Sequence, residues 1–170
     1  MEEGHREDIE EIKSLLVNTA DPVTASEDGA EISAQNAGAG RMNVLAALTA
    51  TFRAEPVSLS FGARAPRGTF RESQPVKITN AGSASDTFTV TVAPRKQLPS
   101  VAVELDQTSV TLGPNGSTQV TVTMSNSGLV QAVADGMVRI LSRNTGKSIN
   151  VPYWATFLVP DVNSSGVVNA

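Results

Sequence analysis

Two hydrophobic periods divide the chain. Over residues 7–18 the apolar side chains fall at Ile9, Ile12, Leu15 and Leu16, while Glu7, Asp8, Glu10, Glu11, Lys13 and Ser14 occupy the other face. That spacing predicts an amphipathic helix, and the acids of its first turn suit the helix dipole. Asp21-Pro22 stops it, because a proline forces the residue before it out of helical geometry. Residues 22–37 are small, polar and turn-prone and read as a loop. After Gly38-Ala39-Gly40, the residues Met42, Leu45, Leu48 and Phe52 restore helical spacing, in a short second helix that Asn43 can cap.

Beyond Glu55-Pro56 the period becomes two. Apolar residues alternate with small polar ones at Val57–Phe61, Val76–Ile78, Phe88–Val92, Val101–Leu105 and Val110–Leu112. Val120, Val122 and Met124 follow, then the runs Met137–Ser142 and Ser148–Phe157. Gly113-Pro114-Asn115-Gly116 and Asn144-Thr145-Gly146-Lys147 are turn signals between such runs. Short Val- and Thr-rich strands at this density predict a mainly β protein. The expected fold is an antiparallel β-sandwich of about 7–8 strands, immunoglobulin-like or fibronectin type III-like, preceded by two short α-helices.

Composition narrows the chemistry. The 170 residues are 40% hydrophobic and 18% charged, enough to fill a core. No apolar run approaches the length of a membrane span, and the acidic N-terminus does not read as a secretion signal. Cys is absent, which excludes disulfides, zinc thiolates and a cysteine nucleophile, and the single His is His5. Residues 1–28 hold nine acids against Arg6 and Lys13, a net of −7, and the rest hold eight acids and eleven bases, a net of +3. A sequence pI of about 5.0 argues against nucleic acid as a partner. Arg53, Arg64, Arg67 and Arg71 follow no helical stripe and read as solvated surface.

A three-part organisation follows: a helical segment over 1–53, the sandwich over 54–158, and a tail over 159–170 that opens a further module. The sandwich can bury its own core. The helical segment has one apolar stripe per helix and no sheet of its own, so Ile9, Ile12, Leu16 and Leu45 need a cover. Residues 8–18 are expected to pack on the sandwich or to self-associate with a second copy.

That orphan segment resembles the C-terminal end of the catalytic domain of subtilisin-like serine proteases. The resemblance lies in Asp8–Asp21, with its Ile12-Lys13, Leu16 and Thr19-Ala20, and in Ala37–Leu48, with its Gly38-Ala39-Gly40 turn before a last helix. It covers about 45 residues. The sandwich is similar to the fibronectin type III-like domain that larger bacterial members carry behind the protease domain. There the similarity runs through Leu105–Thr118 and a last strand with Val151-Pro152-Tyr153, while Leu129–Gly136 stands where the family has a tighter hairpin. The resemblance implies a non-catalytic accessory region of a serine endopeptidase, extracellular or at the cell surface, with the protease domain as its partner in cis. That family's reaction needs Asp, His and Ser in that chain order. No nucleophile motif occurs here, and His5 would lie past the nucleophile, so no hydrolytic activity is expected of this chain.

Smaller signals carry less. Asp161, Asn163 and Ser165, with Gly166, match the start of a calcium loop. The bidentate acid at its twelfth position has no counterpart in the sequence, so calcium binding is not expected, nor any other cofactor. Val151, Tyr153, Ala155 and Phe157 share one face of the last strand, which turns Trp154 outward unless Pro152 forces a bulge. Trp154 and Tyr153 are the residues on which the alternative function, a stand-alone adhesion or carbohydrate-binding module, would depend.

Overall fold

The computed structural model describes residues 2–24, 31–66 and 68–157, with side chains from residue 9 onward. The element order is α1 (Glu2–Asn18), α2 (Ala34–Ala37), α3 (Val44–Leu48), then β1 (Phe52–Glu55), β2 (Leu59–Arg64), β3 (Phe70–Asn80) and β4 (Asp86–Pro94). β5 (Val101–Leu105), β6 (Ser109–Leu112), β7 (Ser117–Asn126), β8 (Ala132–Ser142) and β9 (Ser148–Phe157) complete it. The strands form two sheets, one ordered β1-β3-β7-β5 and the other β2-β9-β8-β4-β6. This is the mainly β, immunoglobulin-like sandwich that the alternation predicts.

Alternating residues of both sheets meet in one core. Leu59, Phe61, Val76, Ile78, Phe88, Val90, Val120, Val122, Val138, Ile140, Val151, Tyr153 and Phe157 are all essentially inaccessible. Phe52 joins them, its ring centroid 5.0 Å from that of Phe88. At 1.5–3 kcal/mol for each large side chain, roughly, this burial is the main driving force for the fold. Pairing of β8 with β9 runs without a slip from Ala132↔Phe157 to Leu141↔Ser148. Pro152 therefore makes no bulge, and the phase expected for the last strand holds. Gly136 on β8 cannot carry a side chain, since a Cβ there would lie 2.4 Å from the Ala93 carbonyl oxygen and 2.6 Å from the Tyr153 hydroxyl.

Three details differ from the sequence reading. Phe52 does not extend the second helix, which ends at Leu48; it opens β1, an edge strand whose Phe52 and Ala54 point into the core. β8 starts at Ala132 and not at Met137, because Ala132–Gly136 lie directly opposite β9 and form a full ladder with it. The pattern there lacks alternation since both faces of the strand are covered, Asp135 and Met137 included. The sheets are not wholly antiparallel either: after β1 the chain crosses to the other sheet, and β2 runs parallel to β9.

The segment before β1 lies across the outer face of β8 and β9 as a strap. Asn18, at the end of α1, is fully buried. The Ala54 N–H of β1 donates to Asn18 Oδ1 at 2.8 Å, and Asn18 Nδ2 reaches the Asn150 carbonyl of β9 at 3.5 Å. The Ala34 N–H donates to Asp135 Oδ2 at 3.1 Å, and Gln35 Nε2 to Thr156 Oγ1 at 2.7 Å. Glu31 pairs with Arg139 at 3.5 Å, and Lys147 Nζ donates to Thr49 Oγ1 at 3.1 Å. Gly40 permits the return of the strap beside Asp21: its φ is +122°, and a Cβ would lie 2.0 Å from the Asp21 carbonyl oxygen. Asp21 and Arg41 then exchange both backbone hydrogen bonds, at 2.9 and 2.8 Å.

Two substitutions test this packing by urea denaturation of the whole chain. Asn18→Ala leaves the Ala54 N–H without its partner and is expected to cost about 1–3 kcal/mol. Gly136→Ala forces backbone displacement where β4 meets β8 and is expected to cost about as much or more. Wild-type midpoints for both variants would contradict the packing described.

Candidate docking surface

The helical pattern places its apolar stripe on Ile9, Ile12 and Leu16, yet a different face of α1 meets the sandwich. The residues turned inward are Ser14 and Asn18, both fully buried, flanked by Glu11. Ser14 is small and satisfies its own hydroxyl on the Glu11 carbonyl at 2.8 Å, so the helix can approach β1 closely. Glu11 forms an ion pair with Arg53 of β1 at 3.0 Å. Residues 11, 14 and 18 share one side of a helix, roughly opposite 9, 12 and 16 at 100° per residue. In the structure α1 meets the sandwich by this polar face and not by its apolar stripe. Leu16 is half-buried, whereas Ile9 is 61% and Ile12 58% exposed.

The second helical stretch adds to the open surface. Asn43 caps α3, its side-chain oxygen accepting from the Ala46 N–H at 3.0 Å, and its amide donates to Asp21 at 3.2 Å. Only Ala47 of this helix is buried; Met42, Val44, Leu45 and Leu48 are exposed, Leu48 to 80%. With Ile9 and Ile12 these make six large apolar side chains in water on two helical stretches whose helices touch. Exposed apolar side chains in that number are uncommon on the free surface of a monomer.

The remaining candidate residues fall elsewhere. Trp154 does point away from the core, opposite Asp135 of β8, on the face that the strap crosses between Asn150 and Thr156, and it is half-buried. Tyr153 is closed into the core at 1% exposure, so it offers no open stacking platform. Its hydroxyl has no hydrogen-bond partner among the described residues, and burial, followed by the nearby Asp135 charge, raises its pKa above the usual phenol value. The side chain of His5, the calcium-loop candidates Asp161, Asn163 and Ser165, and the 159–170 tail lie outside the described residues. Among the described residues no group of three or more His, Asp or Glu stands close enough to hold a metal ion. No described helix is long and apolar enough to cross a membrane.

Sequence reasoning missed Asp135, which is 2% exposed and anchors the strap. Arg95 Nε reaches both carboxylate oxygens, at 2.9 and 3.0 Å, and this hydrogen bonding raises the Arg95 pKa. A lone acid in an apolar run, Val133-Ala134-Asp135-Gly136-Met137, was the available signal.

No protein-family model matches the chain, and no curated protein sequence matches it. Among solved structures, one similar chain is a PapD-like domain of human CEP192, with 10% identity and a TM-score of 0.46, covering 65% of this chain and 87% of that one. The CupB2 chaperone of Pseudomonas aeruginosa has 12% identity and a TM-score of 0.47, covering 61% of this chain and 54% of that one. The secreted serine protease VesC of Vibrio cholerae has 13% identity and a TM-score of 0.43, covering 61% of this chain and 24% of that one.

The state of Tyr153 is testable. Its phenol ionises at higher pH in the folded chain than in the unfolded chain, so stability is full below the unfolded value, near 10, and falls as pH rises past it. Tyr153→Phe removes that group together with an unpaired buried hydroxyl. We expect unchanged or slightly higher stability at pH 7, and a shallower loss in thermal melts between pH 9 and 11. A variant as alkali-sensitive as the wild type would contradict this assignment.

Proposed function

We propose that this chain is the non-catalytic C-terminal accessory region of a subtilisin-like serine endopeptidase, working outside the cell or at its surface. In this reading the sandwich is a rigid support. The strap holds α1 and α3 against it, and their open apolar face is the surface on which the body of the protease domain packs in cis. Substrate access or surface attachment is then set by where the sandwich sits beside that domain.

One observation carries the reading. The two stretches that resemble the end of a subtilase catalytic domain carry six of the eight exposed large apolar side chains among the described residues, Ile9 and Ile12 on one and Met42, Val44, Leu45 and Leu48 on the other. Helix α1 turns its polar side to the sandwich and its apolar side to water, the arrangement expected of a helix shared between two bodies. The adhesion and glycan-binding alternative lacks such support, since it would rest on a single half-buried Trp154.

Complementation in trans tests the proposal. A bacterial subtilisin-like catalytic domain truncated before its last two helices is mixed with this chain and followed by analytical ultracentrifugation and peptidase assay. A one-to-one complex with recovered activity is expected, and Ile12→Ser/Leu45→Ser should weaken it at least tenfold without unfolding the sandwich. Absence of a complex, or self-association through the same face that the double variant abolishes, would overturn the reading.

A further inference from the structure

The stretch from β5 to β6 changes sheets. β5 pairs with β7 in one sheet, and three residues later β6 pairs with β4 in the other. On this side of β4 the pairing ends with the Val90 N–H, which donates to the Thr108 carbonyl at 2.8 Å. Past that point the sandwich is open along one seam, between the end of β4 and the outer edge of β5. Two hollows line it, of about 490 and 330 Å³, and they share Val92 and Val103. The first is bounded by Thr89, Val90, Leu105 and Thr108. The second runs under Leu98 and Val101 to Lys96 and Gln97, with Tyr153 and Ala134 in its floor.

Strand alternation tells which backbone groups face this seam. The Asp106 N–H donates to the Thr121 carbonyl and the Ser127 N–H to the Ser100 carbonyl, so residues 102 and 104 turn their amides toward β7. Val103 and Leu105 then turn theirs outward, and among the described residues no strand pairs with that edge. On β4, residue 92 shares the outward phase of Val90. A row of outward-facing backbone groups beside an apolar trough is the substrate for strand addition: main-chain hydrogen bonds supply affinity and alternate side chains fill the trough. Charge sets the polarity. Asp135, the acid of the second hollow, is already taken by Arg95. Lys96 forms no ion pair among the described residues and stands at one end.

We propose that this seam binds the C-terminal end of an extended peptide. Three or four residues add antiparallel to β5, with β-branched or other apolar side chains at every second position over Val92 and Val103. The terminal carboxylate meets Lys96. The direction is consistent, because β5 runs away from the Lys96 end and an antiparallel strand runs toward it. This site does not depend on the protease reading. Were that reading correct, free carboxylate ends of this kind are what peptide-bond hydrolysis leaves on the acyl half of a cut chain.

The test uses the whole chain and a fluorescent Thr-Val-Thr-Val peptide in two forms, with a free C-terminal carboxylate and with a C-terminal amide. The carboxylate form is expected to bind at least tenfold tighter in anisotropy titrations. Lys96→Ala, an exposed position that leaves the core intact, should bring the two forms within about twofold. The bound peptide should slow amide hydrogen exchange at Val103 and Leu105 in the wild type. Equal binding of the two forms, unchanged exchange at those amides, or protection confined to α1 and α3 would each overturn the proposal. So would dimerisation of the chain through the seam.

Discussion

The fold turns on one buried amide. Asn18 sits at the end of a helix and accepts a hydrogen bond from an edge strand of one sheet while reaching toward a carbonyl of the other. Ala54 belongs to β1 and Asn150 to β9, so one side chain touches both sheets. An apolar residue there would leave a buried amide hydrogen unpaired, and a longer polar one would hold the helix away from β1. With Asn18 in place, α1 lies close enough for Ser14 to be sealed and for Glu11 to pair with Arg53. The strap then follows across β8 and β9 to its second anchor, where Asp135 accepts the Ala34 N–H.

These anchors explain why the helix shows its apolar side to water. Polar anchors are specific in position and geometry, and they fix which face of α1 turns inward. Ile9 and Ile12 of the apolar stripe stay exposed, as do Leu45 and Leu48 of α3. A helix that buried Ile9 and Ile12 against the sandwich would be a closed module. As it stands, the same element joins the sandwich on one side and leaves Ile9 and Ile12 in water on the other.

Much of the sandwich could be read from alternation alone, because strands buried on one face carry the period in their side chains. Val120, Val122 and Met124, or Val151, Tyr153 and Phe157, announce both the strand and its inward face. Alternation fails where both faces are covered. Ala132–Gly136 fall outside the run Met137–Ser142 that alternation marks, since Asp135 and Met137 lie under the strap and are as buried as their neighbours. Phe52 reads as helical because a spacing of four from Leu48 fits a helix as well as a strand start. The open apolar face was visible only as a question: the pattern marked Ile9, Ile12 and Leu16 as needing a cover, and no local signal said that Ser14 and Asn18 would take the inward side. The seam beside β5 had no signal at all, since it arises from a change of sheets between residues 105 and 109.

The measurement that bears most directly on this account is hydrogen exchange of the Ala54 amide, followed residue by residue by NMR. Ala54 lies on a short edge strand, where an amide without a tertiary partner exchanges readily. If Asn18 covers it and the strap is part of the fold, it exchanges as slowly as Val122 and Ile140 in the middle of the sheets. Exchange at the rate of an open strand edge would mean that α1 is not held on the sandwich, and that the apolar face it displays is not a built docking surface.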